Sequence, residues 1–128
     1  MKLLLDTNAL LWWLADSPRL NDRARSLIAD PEQEVLVSVV SLWEIAIKVR
    51  IGKLEADVAL IEAALNASNV SRLDILPNHL KALMALPTLH RDPFDHLLIA
   101  QAISEAAAFL TADRQAELYP VTVVAVGH

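Results

Sequence analysis

The chain predicts an α/β sandwich built on a mainly parallel sheet. Three observations lead there. Short, nearly all-apolar runs at 2–5, 35–40 and 108–111 alternate with longer helical stretches. Those runs are apolar almost throughout instead of alternating, as in strands covered on both faces. At 128 residues and 55% hydrophobic content, the chain can bury a core as one domain, 1–128.

The elements follow in order. Residues 2–5 form a buried strand that runs into the polar turn Asp6-Thr7-Asn8. Asn8 is placed to cap a helix through Leu10, Leu11 and Leu14, which Ser17-Pro18 breaks. Asn21-Asp22 cap a second helix, ended by Asp30-Pro31. The β-branched run 35–40 is a strand. Ser41 opens a long helix from Leu42 to about Arg50, closed by Gly52. A helix from Asp57 to about Ala67, a short strand at 73–76 and a helix from Pro77 to about Leu86 come next. Pro93 opens the following helix, 94–105. A strand at 108–111, a short helix capped by Asp113 and a strand at 121–124 complete the chain.

Composition excludes several functions. Eleven basic against sixteen acidic residues give a net charge of −5, so nucleic acid is not held by bulk positive charge. There is no cysteine, hence no disulfide, thiolate zinc site or cysteine nucleophile. Only Gly52 and Gly127 occur, so no glycine-rich loop cradles a phosphate. The apolar N-terminus is interrupted by Asp6, and its longest apolar run, 9–15, is far short of the ~18 residues that span a bilayer. A cytoplasmic protein with no membrane partner is expected.

Four acids fall where strands end or helices begin. Asp6 and Asp113 follow strands, whereas Glu44 and Asp95 lie in first helical turns. In a parallel sheet these positions share one edge, so the four carboxylates can meet in one cleft. Each also has a purely structural reading. Asp6 suits a turn, Ser41-Leu42-Trp43-Glu44 matches a capping box, Asp92-Pro93-Phe94-Asp95 reads as cap, proline and first-turn acid, and Asp113 suits an N-cap. If the acids meet, their repulsion calls for protonation or a cation. Oxygen-only ligands favour Mg²⁺ or Mn²⁺, whose bound water can attack a phosphodiester.

The segments LLLDTNALLWW (3–13), SVVSLWEIAIKVRIGKL (38–54), HRDPFDHLLIAQA (90–102) and FLTAD (109–113) resemble PIN-domain ribonucleases. They look most like VapC-type toxins of bacterial toxin–antitoxin pairs. The resemblance spans nearly the whole chain. It implies a three-layer α/β/α fold with about five parallel strands and Mg²⁺- or Mn²⁺-dependent RNA cleavage. It assigns Asp6, Glu44 and Asp95 as the main acids, Asp113 as the fourth, and Thr7 and Thr111 as hydroxyls beside them. Asp92 is placed as a cap and not a ligand. His96 departs from the family, where arginine is frequent; it is either a weaker, pH-dependent phosphate contact or a surface residue. A VapB-like antitoxin, whose C-terminal segment lies along the toxin, is the implied partner.

Lys48, Arg50 and Lys53 cluster near one helix end, as a solvated face or as phosphate contacts. Arg91, two residues from the expected cleft edge, is the stronger candidate for RNA. Adjacent Trp12 and Trp13 cannot both face one core, so one is expected at the surface or in a partner groove. The apolar content also suits a homodimer. His79, His90 and His128 show no ligand spacing. The competing class is a non-catalytic α/β binding module whose acids are helix caps. A receiver-type module lacks its acidic pair and late lysine here, and a DxD phosphatase lacks its second aspartate.

Overall fold

Leu3, Leu4 and Leu5 are all fully buried, yet they serve two different cores. The computed structural model describes residues 1–89 and 92–128. Its elements are β1 (Lys2–Leu5), α1 (Thr7–Leu14), α2 (Asp22–Ala29), β2 (Glu34–Ser38), α3 (Val39–Arg50), α4 (Val58–Asn66), β3 (Ser71–Leu73), α5 (Pro77–Ala85), α6 (Pro93–Ser104), β4 (Ala108–Thr111), a 3₁₀ turn (Arg114–Leu118) and β5 (Val123–Ala125). The strands form one sheet in the order β3-β2-β1-β4-β5, every pairing parallel.

Side chains alternate across this sheet, so each strand feeds both faces. Leu3, Leu5, Val35, Val37, Ala108 and Leu110 pack under α1, α2 and α4, together with Ile45 of α3. Leu4, Leu36, Leu73 and Phe109 pack under α6, with Leu83 of α5 at the margin. The result is a three-layer α/β/α sandwich, and it explains why the strands read as near-continuous apolar runs. α6 is buried along most of Leu97 to Ala102 and shows little polar face, as befits its place over the sheet centre. No helix among the described residues is long and apolar enough to cross a membrane.

Several boundaries differ from expectation, for physical reasons. α1 starts at Thr7 and is capped by Asp6, not Asn8; Asn8 is exposed inside the helix. The chain turns directly off β1, and the Asp6 carboxylate is the first acceptor within reach of the free amides. β2 ends at Ser38, whose hydroxyl accepts from the Val40 amide and starts α3 three residues before Leu42. β-branched Val39 and Val40 read as strand in isolation, but Val40 is needed in the core under α6, and packing overrides propensity. β3 lies at 71–73 instead of 73–76, because Leu36, Val37 and Ser38 fix its register. β5 lies at 123–125 instead of 121–124, set by β4 in the same way. Trp12 and Trp13 both pack half-buried against the core on the α1, α2 and α4 side of the sheet. Flanking positions of a two-turn helix straddle its contact line, and an indole reaches the core from either side. Trp43 is the exposed tryptophan, 52% accessible and edge-on to Phe94.

Candidate active site

The connectivity reverses beside β1. From β1 the chain builds outward through β2 to β3, then returns to add β4 and β5 on the other side. Open parallel sheets form a crevice beyond the strand carboxyl ends at such a switch point. Asp6 stands there, with its amide donating to the Leu110 carbonyl across the β1–β4 gap (2.9 Å). Its Oδ1 accepts from the Ala9 amide (2.7 Å), and its Oδ2 from the Thr111 hydroxyl (2.6 Å). Burial pushes the Asp6 carboxyl up to about 6, outweighing both hydrogen bonds; the charges of Glu44 and Asp113 add to the rise.

Glu44 arrives from the opposite side of β1. Because α3 begins early, Glu44 lies in its second turn and no capping box forms with Ser41. It is buried to 5% accessibility, and both its oxygens are engaged. Oε1 accepts from the Thr7 hydroxyl (2.7 Å), which also lies 3.1 Å from the buried Ser41 Oγ. Oε2 accepts from the Lys48 ammonium (2.6 Å), one turn further along α3. That bond raises the Lys48 pKa above the usual ammonium value, against partial desolvation, with Glu44, Asp92 and Asp95 contributing charge.

Asp95 stands in the first turn of α6, whose N-terminus faces the same edge. Asp92 caps that helix by accepting from the Phe94 and Asp95 amides, as expected. Burial raises the Asp95 carboxyl to about 8, reinforced by the charges of Asp92, Asp6, Glu44 and Asp113 in that order. All the expected acids therefore lie within electrostatic reach of one carboxyl. Asp113 is exposed; its Oδ1 accepts from the Gln115 amide, and its own amide donates to Thr111 Oγ1 (3.0 Å). Thr111 thus couples Asp6 to the Asp113 backbone, while Thr7 couples Glu44 to Ser41.

Among the described residues, no three acid or histidine side chains already converge on one point as metal ligands. The donor chemistry nevertheless fits a hard divalent ion. The cleft gathers carboxylates, and two of them, Asp6 and Asp95, are raised first by burial and then by the charges of neighbouring carboxylates. Mg²⁺ keeps several waters and takes only one or two carboxylates, so a closed cage is not required.

The expected RNA contacts divide. Lys48 is at the cleft, held by Glu44. His96 is half-buried on α6, with Nε2 3.2 Å from the Tyr119 hydroxyl. Arg91, like His90, lies outside the described residues. A buried polar chain also runs from the end of β2 to α6 and α5, and the sequence-based expectations did not include it. Ser38 Oγ donates to Gln101 Oε1 (2.5 Å). Gln101 Nε2 approaches His79 Nδ1 (3.3 Å), and His79 Nε2 meets Glu105 (2.8 Å). A glutamine amid the apolar run of α6 was the available signal, since a buried amide needs partners.

A parallel sandwich with carboxylates gathered at its switch point is the architecture of a known class. The PIN domain family model matches residues 3–121, and the chain belongs to that family. Within it, the likeness is to VapC proteins. The chain is 29% identical over 126 residues to Ribonuclease VapC22 of Mycobacterium tuberculosis, covering 94% of this chain and 96% of that protein. Its fold matches VapBC2 of Rickettsia felis, solved bound to a promoter DNA fragment (TM-score 0.77, 18% identity, 98% of this chain and 99% of that one). It also matches VapBC-1 of nontypeable Haemophilus influenzae (TM-score 0.69, 19% identity, 98% of each chain).

Proposed function

We propose that the chain is a metal-dependent endoribonuclease and the toxin of a toxin–antitoxin pair. One observation carries this reading: buried Asp6 and Glu44 and half-buried Asp95, from three different elements, are gathered at the switch point of the sheet, close enough for the charges of Asp6 and Glu44 to act on the Asp95 carboxyl. Evolutionary likeness supports it, since the curated relative is named a ribonuclease and the matched structures are VapBC complexes. In this reading Asp6, Glu44, Asp95 and Asp113 would hold Mg²⁺ or Mn²⁺, one or two of them directly and the others through the ion's waters. Such an ion supplies Lewis-acid polarisation of the phosphate and acidifies the attacking water. The chain's own contribution is preorganisation. Thr111 and Thr7 each donate to one carboxylate oxygen and so fix how Asp6 and Glu44 present the other. Hydrolysis joins the water oxygen to phosphorus and breaks one phosphodiester P–O bond. Lys48, Arg91 and His96 are the proposed contacts to RNA. A VapB-like antitoxin, a homodimer and a cytoplasmic setting complete the proposal.

A capping-only module has one observation in its favour, because Asp6, Asp92 and Asp113 all accept backbone amides. Glu44 caps nothing, however, and is buried beside them. Purified chain, freed of any bound partner, is expected to fragment RNA with Mn²⁺ and to stop on addition of EDTA. Intact RNA across several substrates, with folded protein, would favour the module.

A further inference from the structure

Both oxygens of Glu44 are taken by side chains, and the two partners differ in kind. Thr7 is buried, and its hydroxyl is fixed by the Ser41 contact. Lys48 is 42% accessible at its side chain and reaches Glu44 by an i,i+4 step along one helix. Its ammonium sits 2.6 Å from Oε2, and the charges of Asp92 and Asp95 act on it as well. It therefore occupies, with one positive charge, the oxygen that a metal would need.

We propose that Lys48 is a built-in competitor for the metal: it neutralises Glu44 in the metal-free protein and must leave Oε2 for a divalent ion to bind. The inference rests on the metal-dependent reading above. Three features make the exchange workable. The lysine stem is flexible, so release costs no backbone change. Its head is already at the solvent edge, so the freed charge is rehydrated. Without it, a buried carboxylate would stand unpaired whenever metal is scarce, which is costly. The lysine thus keeps the empty cleft folded and sets a threshold for loading. Once displaced, its charge is available to an RNA phosphate.

The test is Mn²⁺ binding by isothermal titration calorimetry to the wild type, Lys48→Met and Lys53→Met. Lys53 is exposed just beyond the end of α3, so its loss removes the same charge nearby without touching Glu44. Lys48→Met is expected to bind Mn²⁺ about tenfold more tightly, the equivalent of one charge-assisted hydrogen bond no longer broken. Lys53→Met is expected to change affinity by less than about twofold. Thermal unfolding supplies the complementary reading. Lys48→Met melts below the wild type in EDTA, and the gap closes or reverses at saturating Mn²⁺. Unchanged or weaker binding by Lys48→Met, or equal tightening by both variants, overturns the proposal while leaving the metal site standing. Absence of Mn²⁺ binding in all three proteins overturns the metal reading itself, and this inference with it.

Discussion

Replacing Asp6 by asparagine isolates the electrostatic cost of the cleft. The side chain keeps its shape. Its oxygen still caps Ala9, and its amide nitrogen can donate to Thr111 Oγ1, which keeps a lone pair beside the bond from the Asp113 amide. What disappears is a buried negative charge. In the metal-free wild type the Asp6 carboxyl is raised from 3.8 to about 6, so the folded state holds its proton more tightly than the unfolded chain. Stability therefore falls as pH rises from about 4 to about 6 and stays reduced above that. At 1.36 kcal/mol per unit, the penalty reaches about 3 kcal/mol near pH 7.5 and only about 1 kcal/mol near pH 4.5. Asp6→Asn is expected to recover up to that amount near neutral pH and about 2 kcal/mol less in acid. Urea unfolding in EDTA at the two pH values measures it. Equal effects at both, or a variant markedly less stable than wild type near pH 7.5, would refute the argument.

Other outcomes follow from the same geometry. Because Asp6 and Asp95 both carry raised pKa values, the metal-free protein loses stability between about pH 4 and pH 8; saturating Mn²⁺ is expected to flatten that slope in thermal melts. Mn²⁺ is also expected to raise the melting temperature of the wild type but not of Asp6→Asn. Thr111→Val removes the donor to Asp6 Oδ2, and is expected to cost about 1–3 kcal/mol near neutral pH and less in acid, as read by urea unfolding. Gln101→Leu strips partners from Ser38, His79 and the Asp74 carbonyl, and is expected to cost about 1–3 kcal/mol at any pH above 5, measured the same way.

The parts of the fold that rest on burial were legible in the sequence. Leu3 to Leu5 and residues 108–111 are apolar on both faces, and the parallel sheet follows from that. Where one residue can serve two neighbours, local pattern misleads. Ser41 and Glu44 spell a capping box, yet Ser38 caps the helix and Glu44 is turned to Thr7, because β2 ends earlier than its apolar run suggests. The acids could be expected on one sheet edge from their positions at strand ends (Asp6, Asp113) and helix starts (Glu44, Asp95). Their hydroxyl braces are different: Thr7–Glu44 and Thr111–Asp6 span 37 and 105 residues, and only the folded chain pairs them. The Gln101–Ser38 contact is of the same kind, spanning 63 residues.

Whether the gathered acids cleave RNA is decided by single-turnover cleavage of one fluorophore–quencher RNA with Mn²⁺. The proteins are the wild type, Asp6→Asn, Glu44→Gln, Asp95→Asn and, as a control away from the cleft, Glu62→Gln on α4, each checked for folding by circular dichroism. The three cleft variants are expected to lose about a hundredfold or more while Glu62→Gln keeps the wild-type rate. Cleft variants that are folded and cleave at the wild-type rate would contradict this expectation.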